Sequence, residues 1–220
     1  MASQEHRTKA RRPAPRLYLV TPRITDPARH MAALAGALDA AEVAAVLLRL
    51  EPADERALIN RAKTLVPFVQ DKGAALLLDG YPNAAVLAGA DGAHVTGIAA
   101  FRDAVPALKP ERIIGCGGLQ TRHDAMLAAE SDTDYVMFGE PDERGQRPSL
   151  DAVIERVAWW AEVFEVPCVA FAENLAEIAP LAAAGADFVA LGDWVFIDPR
   201  GPASTVAEAA QQLAQAEAVE

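Results

Sequence analysis

Residues 87–95 read LAGADGAHV, and residues 182–191 read AAAGADFVAL. Each stretch leaves a helix-spaced segment, turns on a glycine, and passes through Ala-Asp into an apolar run. Gly89 and Gly185 stand where a helix ends and the chain turns back. Glycine favours that C-cap place because it reaches a left-handed backbone without a Cβ clash. A looser copy, AAESDTDYVMF, spans 128–138. A junction repeated in this way marks a chain that alternates helices with buried strands.

Outward from these junctions the pattern holds along the whole body. The apolar runs are LYLVT (17–21), VAAVLLR (43–49), AALLLD (74–79), GAHV (92–95), RIIGC (112–116), DYVMFG (134–139), PCVAFA (167–172) and DFVALG (187–192). Their unbroken apolarity points to strands buried on both faces, as in parallel sheets. Between them, segments such as DPARHMAALAGALDA (26–40), DERALINRAKTLVPFVQDKG (54–73) and LDAVIERVAWWAEVF (150–164) carry apolar residues at three- and four-residue spacing. Helices that cover a sheet need that spacing. Eight strands alternating with helices predict an α/β chain forming a single (βα)8 TIM barrel, with an open doubly wound sheet as the alternative.

The chain has 220 residues, 52% of them hydrophobic, enough for one domain with a sizeable core. Its net charge is -11. Residues 1–16 hold five bases against one acid, a net +4, so the remaining 204 residues carry -15. The expected division is a disordered basic tail at 1–16 and a barrel at 17–220. So acidic a body argues against nucleic acid or an anionic membrane as partner. No apolar run spans a bilayer, and the N-terminus lacks the apolar core of a signal peptide. Cys116 and Cys168 each lie in an apolar run, as buried thiols of a reducing cytoplasm would.

In a barrel the strand C-termini form one mouth, where substrate chemistry sits. The ligand-binding candidates there are Arg49, Asp79, His94, Gly115, Gly139, Glu140 and Asp193. The loop FGEPDERG (138–145) adds Asp142 and Glu143 to Glu140. Plainer readings stand beside these. Asp79 and Asp193 are placed to cap the helices that follow them. Arg49 ends an apolar strand and needs a carboxylate, with Asp79 or Glu51 within reach. His94 suits a satisfied core histidine, His123 a surface helix, and the Trp159–Trp160 pair a packing or subunit contact.

LYLVT, VLLR (46–49), LLLDGYPNAAVLAGADGAHV (76–95), RIIGCG (112–117), DYVMFGEP (134–141) and AAAGADFVALGDWVF (182–196) together resemble thiamine phosphate synthase, whose family includes a thiazole tautomerase. The resemblance covers 17–199 in order and spacing. It implies a (βα)8 barrel that joins a hydroxymethylpyrimidine diphosphate to a thiazole phosphate, releasing pyrophosphate with Mg2+. The motifs match unevenly. In the family's Gln-Leu-Arg-x-Lys, Arg49 stays while Leu47 and Glu51 replace the Gln and the Lys. In Asn-Asp-Arg, Asp79 stays as the implied Mg2+ ligand between Leu78 and Gly80. After His94 the second metal-binding Asp is Ala99. The Ser and His of the strand-5 motif are Gly117 and Leu119. The Thr-x-Thr-Lys diphosphate loop is GEPDERG, the Gly-Gly phosphate turn is FAEN (171–174), and a strand-8 Ser is Asp193.

The expected function is a thiamine phosphate synthase-like protein of thiamine metabolism that has diverged from the condensation. The alternatives are a non-catalytic ligand-binding or regulatory barrel with an acidic mouth, and an unrelated barrel enzyme using Asp79 and a neighbouring carboxylate as acid and base. A small molecule at the mouth, a homodimer and a cytoplasmic location accompany this reading. Mg2+ follows from the resemblance, and nothing in the residues themselves requires a cofactor.

Overall fold

The computed structural model describes residues 13–142 and 144–218. Eight strands run in chain order: β1 Arg16–Val20, β2 Val43–Leu48, β3 Ala75–Asp79, β4 Gly92–Thr96, β5 Ile113–Gly117, β6 Tyr135–Phe138, β7 Cys168–Ala172 and β8 Phe188–Leu191. Every neighbour pair is parallel, and β8 pairs back onto β1, with Tyr18 opposite Ala190. That closure excludes the open doubly wound alternative. The helices α1 Pro27–Ala40, α2 Glu55–Gln70, α3 Pro82–Ala88, α4 Ile98–Leu108, α5 Arg122–Glu130, α6 Leu150–Val163 and α7 Ile178–Ala183 form the outer ring. A single turn α8, Trp194–Ile197, and a long α9, Pro202–Ala218, complete the chain, with α9 lying along α1. The expected basic tail lies outside the described residues up to position 12, and Arg16 already belongs to β1.

The repeated junction is a clamp. At Asp91, Asp134 and Asp187 the backbone N–H donates to the carbonyl of Leu76, Ile114 and Cys168, each at 3.0 Å. The carboxylate of each Asp then accepts the N–H of that same strand residue, at 2.7, 2.7 and 2.8 Å. Each Asp thereby pins the start of the preceding strand, β3, β5 or β7. The residue two places earlier is left-handed each time: Gly89 at φ 78°, Gly185 at φ 97° and, in the looser copy, Asp132 at φ 72°. Asp tolerates that region better than most side chains.

Strand alternation splits the core into two layers. Leu19, Val46, Leu76, Leu78, Ile114 and Val136 face the helices. Tyr18, Val20, Leu47, Leu77, Tyr135, Met137, Val169 and Phe171 fill the lumen. Helix starts are set by Asp26, Asp54, Thr121 and Ser149, whose side chains accept first-turn amides. Cys116 and Cys168 are buried and form no disulfide with each other. Trp160 is fully buried and donates to Val166 O at 2.7 Å.

Candidate functional site

At one side of the mouth Arg49 follows β2, its backbone N–H held by the Thr21 hydroxyl at 3.0 Å. Its guanidinium lies 3.7 Å from Asp79 Oδ2 and 3.6 Å from Asp193 Oδ2. These are ion pairs at longer range than a good hydrogen bond. Among the described residues Arg49 therefore pairs with Asp79 and Asp193, and Glu51 contributes its carbonyl to Arg61 instead. Neither aspartate side chain caps a helix: the N-cap residue of α3 is Tyr81, and Asp193, the N-cap residue of α8, makes no side-chain cap bond.

A second group gathers around Glu140, just past β6. Its Oε1 accepts the Gly118 N–H. A Cβ on Gly117 would lie under 3.0 Å from both Glu140 Oε1 and His94 Nε2, so the missing side chain is what lets these two face each other. His94 Nδ1 stands 3.0 Å from Tyr135 Oη, and Tyr135 Oη stands 2.8 Å from Tyr18 Oη. A polar chain thus runs from the mouth into the lumen. Gly115, proposed for ligand binding, is overlaid by the Tyr135 ring, which would collide with any Cβ there. Gly139, also proposed, makes the turn after β6 at φ 91°, against Val153.

Burial sets the protonation of this chain. It raises the Glu140 carboxyl to about 7, the Gly118 N–H opposing and the Asp79 charge adding. Burial lowers His94, with Asp79 opposing, so the imidazole is neutral at pH 7. Burial raises Tyr18 and Tyr135, which keep their hydroxyl protons. It also pushes the Cys116 thiol up to about 12, making a poor nucleophile.

The acidic loop is less of an acidic wall than its composition suggests. Glu140 turns inward. Asp142 folds the loop itself, its Oδ1 accepting the N–H of Arg144 and of Gln146 at 2.8 Å each. Glu143 lies outside the described residues. Arg147 then locks the loop across to β7: its Nη1 lies 2.9 Å from Glu177 Oε2 and 3.1 Å from Glu173 Oε2. The Arg147 and Glu177 side chains are only 8% and 11% exposed. Beneath the loop lies a pocket of about 580 Å3, walled by Leu119, Met137, Phe138, Glu140, Val153 and Arg156 among others. Arg49, Asp79 and Asp193 do not line it. The seven candidates therefore fall into one ion-pair group, one group at Glu140 and His94, and two glycines with packing or turn roles.

Asp79, the Mg2+ ligand implied by the resemblance, fits that ion poorly. Its carboxylate already faces a guanidinium. Ala99 offers no donor, and the described residues contain no cluster of three His, Cys, Asp or Glu placed to hold a metal. Mg2+ demands a near-octahedral shell of oxygens.

Tyr18, Tyr135, Arg147 and Glu177 are the members that sequence reasoning left out of the candidate set. The two tyrosines carried a usable signal, a polar-tipped ring inside an apolar strand that needs a buried partner. For Glu177 and Arg147 no local pattern exists, since the partners lie 30 residues apart.

The family model described as thiamine monophosphate synthase matches residues 17–194. The chain is 41% identical over 196 residues to a thiamine-phosphate synthase of Rhodospirillum centenum, covering 88% of this chain and 95% of that one. It is 32% identical over 203 residues to one of Hyphomonas neptunium, covering 89% and 92%. Thiamine phosphate pyrophosphorylase of Pyrococcus furiosus superposes with a TM-score of 0.73 at 18% identity, over 91% of this chain and 96% of that one, a likeness of fold. The match begins within β1 and ends as α8 starts, so it takes in all eight strands and every loop of the mouth: the chain belongs to the thiamine monophosphate synthase family.

Proposed function

We propose that this barrel is a thiamine phosphate synthase-like protein of thiamine metabolism that no longer performs the condensation. One observation carries the reading: three of the mouth's anion-binding donors already hold carboxylates of the protein itself. Arg49 faces Asp79 and Asp193, Arg147 faces Glu173 and Glu177, and the Gly118 amide holds Glu140. A diphosphate entering here must displace those carboxylates or sit among them, and either raises its energy. One lost preorganised donor costs about 3 kcal/mol of transition-state stabilisation. Three such losses would slow the reaction by roughly six orders of magnitude if they added fully.

The test is pyrophosphate release from both substrates with Mg2+. No release above background is expected, and turnover near the usual enzyme median of about 10 per second would overturn the reading. A second reading, a binding barrel for a small molecule, is favoured by the Glu140 pocket. Both readings go with a cytoplasmic protein, which its two buried cysteines outside any disulfide support, and with a homodimer, which rests on the family resemblance. No described helix is long and apolar enough to cross a membrane.

A further inference from the structure

The pocket beneath residues 139–142 and 144–148 combines an apolar lining with one inward carboxylate. Met137, Phe138, Leu119 and Val153 supply the lining, and Glu140 stands in the wall with part of its surface open. Of the three arginines that line the pocket, Arg144, Arg147 and Arg156, the last two are held elsewhere. Arg147 is tied to Glu173 and Glu177. Arg156 donates to the carbonyls of Leu119 and Gln120, both at 3.4 Å, and lies over the Phe138 ring. Among the described residues no lysine or arginine forms an ion pair with Glu140. An ionised carboxylate has about four acceptor positions, and the Gly118 N–H fills one. A charge so enclosed without a cation is costly, and a ligand that brings one relieves the cost.

We propose that this pocket binds a small organic cation, an aromatic ring carrying a protonated nitrogen, with the Glu140 carboxylate as counter-ion and the ring set against the pocket's apolar lining. This deepens the second reading above and rests on it. The groups facing Glu140 leave it as the titrating member. Tyr18, Tyr135 and the Cys116 thiol keep their protons, and burial lowers His94 from its ordinary value, with Asp79 opposing. Asp79 is the negative neighbour from β3, and Arg144, Arg147 and Arg156 stand at the rim with Asp142. Glu140 holds its proton up to about 7, so cation binding displaces that proton below this value.

The experiment is calorimetric titration of the whole protein with benzylamine, and with benzyl phosphate as the anionic counterpart. Benzylamine is expected to bind at about pH 8, and to weaken about tenfold for each pH unit below 7. Below 7 one proton should be released per ligand bound, read from buffers of different ionisation heat. Benzyl phosphate should not bind. Glu140→Gln should weaken benzylamine at least tenfold at the higher pH and abolish its pH dependence. The proposal is overturned by absent benzylamine binding, by pH-independent binding without proton release, by a preference for benzyl phosphate, or by unchanged affinity in Glu140→Gln. Proton release by the wild type keeps the test valid should the variant not fold. Pyrophosphate release is read separately, so failure of either proposal is recognisable by itself.

Discussion

Replacing Glu140 by Gln should change how stability depends on pH, in a direction set by burial. In the unfolded chain this carboxyl releases its proton at about 4.5, while in the folded barrel it keeps the proton to about 7. Between those values the unfolded chain binds fewer protons than the folded one, so stability falls as pH rises. Below the window both states are protonated and the effect vanishes. Above it the full penalty is present and constant. Each pH unit of the window is worth about 1.4 kcal/mol. The crossing therefore destabilises the wild type by about 3 kcal/mol at most, an upper bound because part of Glu140 opens to the pocket. Gln keeps an oxygen for the Gly118 N–H and has no proton to lose. Urea unfolding of both proteins at about pH 5.5 and about pH 8 reads the difference, and the variant should gain about 2 kcal/mol on the wild type across that interval. Parallel pH profiles, or a wild type that gains on the variant, would refute the reasoning.

Four further outcomes follow from the packing. Arg147→Ala strands a buried Glu177 carboxylate and should cost about 3 kcal/mol. Glu173→Ala, which removes the exposed partner, should cost under about 1 kcal/mol in the same urea assay. Asp187→Ala leaves the Cys168 N–H without the carboxylate that holds it at 2.8 Å. A loss of about 1–2 kcal/mol is expected, read as a lower thermal midpoint. Gly115→Ala drives a methyl into the Tyr135 ring and should cost about 1–3 kcal/mol. An unshifted thermal midpoint for this variant would mean that the ring yields freely.

What the residues determined by themselves is the alternation, and with it the fold. Each strand is announced by its own apolarity, and β4 and β8 also by the Gly-Ala-Asp turn before them. The observed strands accordingly start or stop within a residue of the apolar runs: 43–49 became Val43–Leu48, and 167–172 became Cys168–Ala172. The need of Arg49 for a carboxylate was also legible, because a charge at the end of a buried strand is a local fact. Which carboxylate answered was not. Asp79 comes from β3 and Asp193 from beyond β8, and only closure of the barrel brings both to Arg49. The same holds for the acidic loop. Composition announced its negative charges, but whether each faced a ligand, the loop or another loop depended on the turn at Gly139 and on Arg147 reaching across to Glu177. Tyr18 and Tyr135 meet across 117 residues, because lumen-facing side chains are set by strand parity while their partners are set by register around the ring. Parity is local and register is not, and this division separates what the chain's own residues decided from what the folded barrel decided.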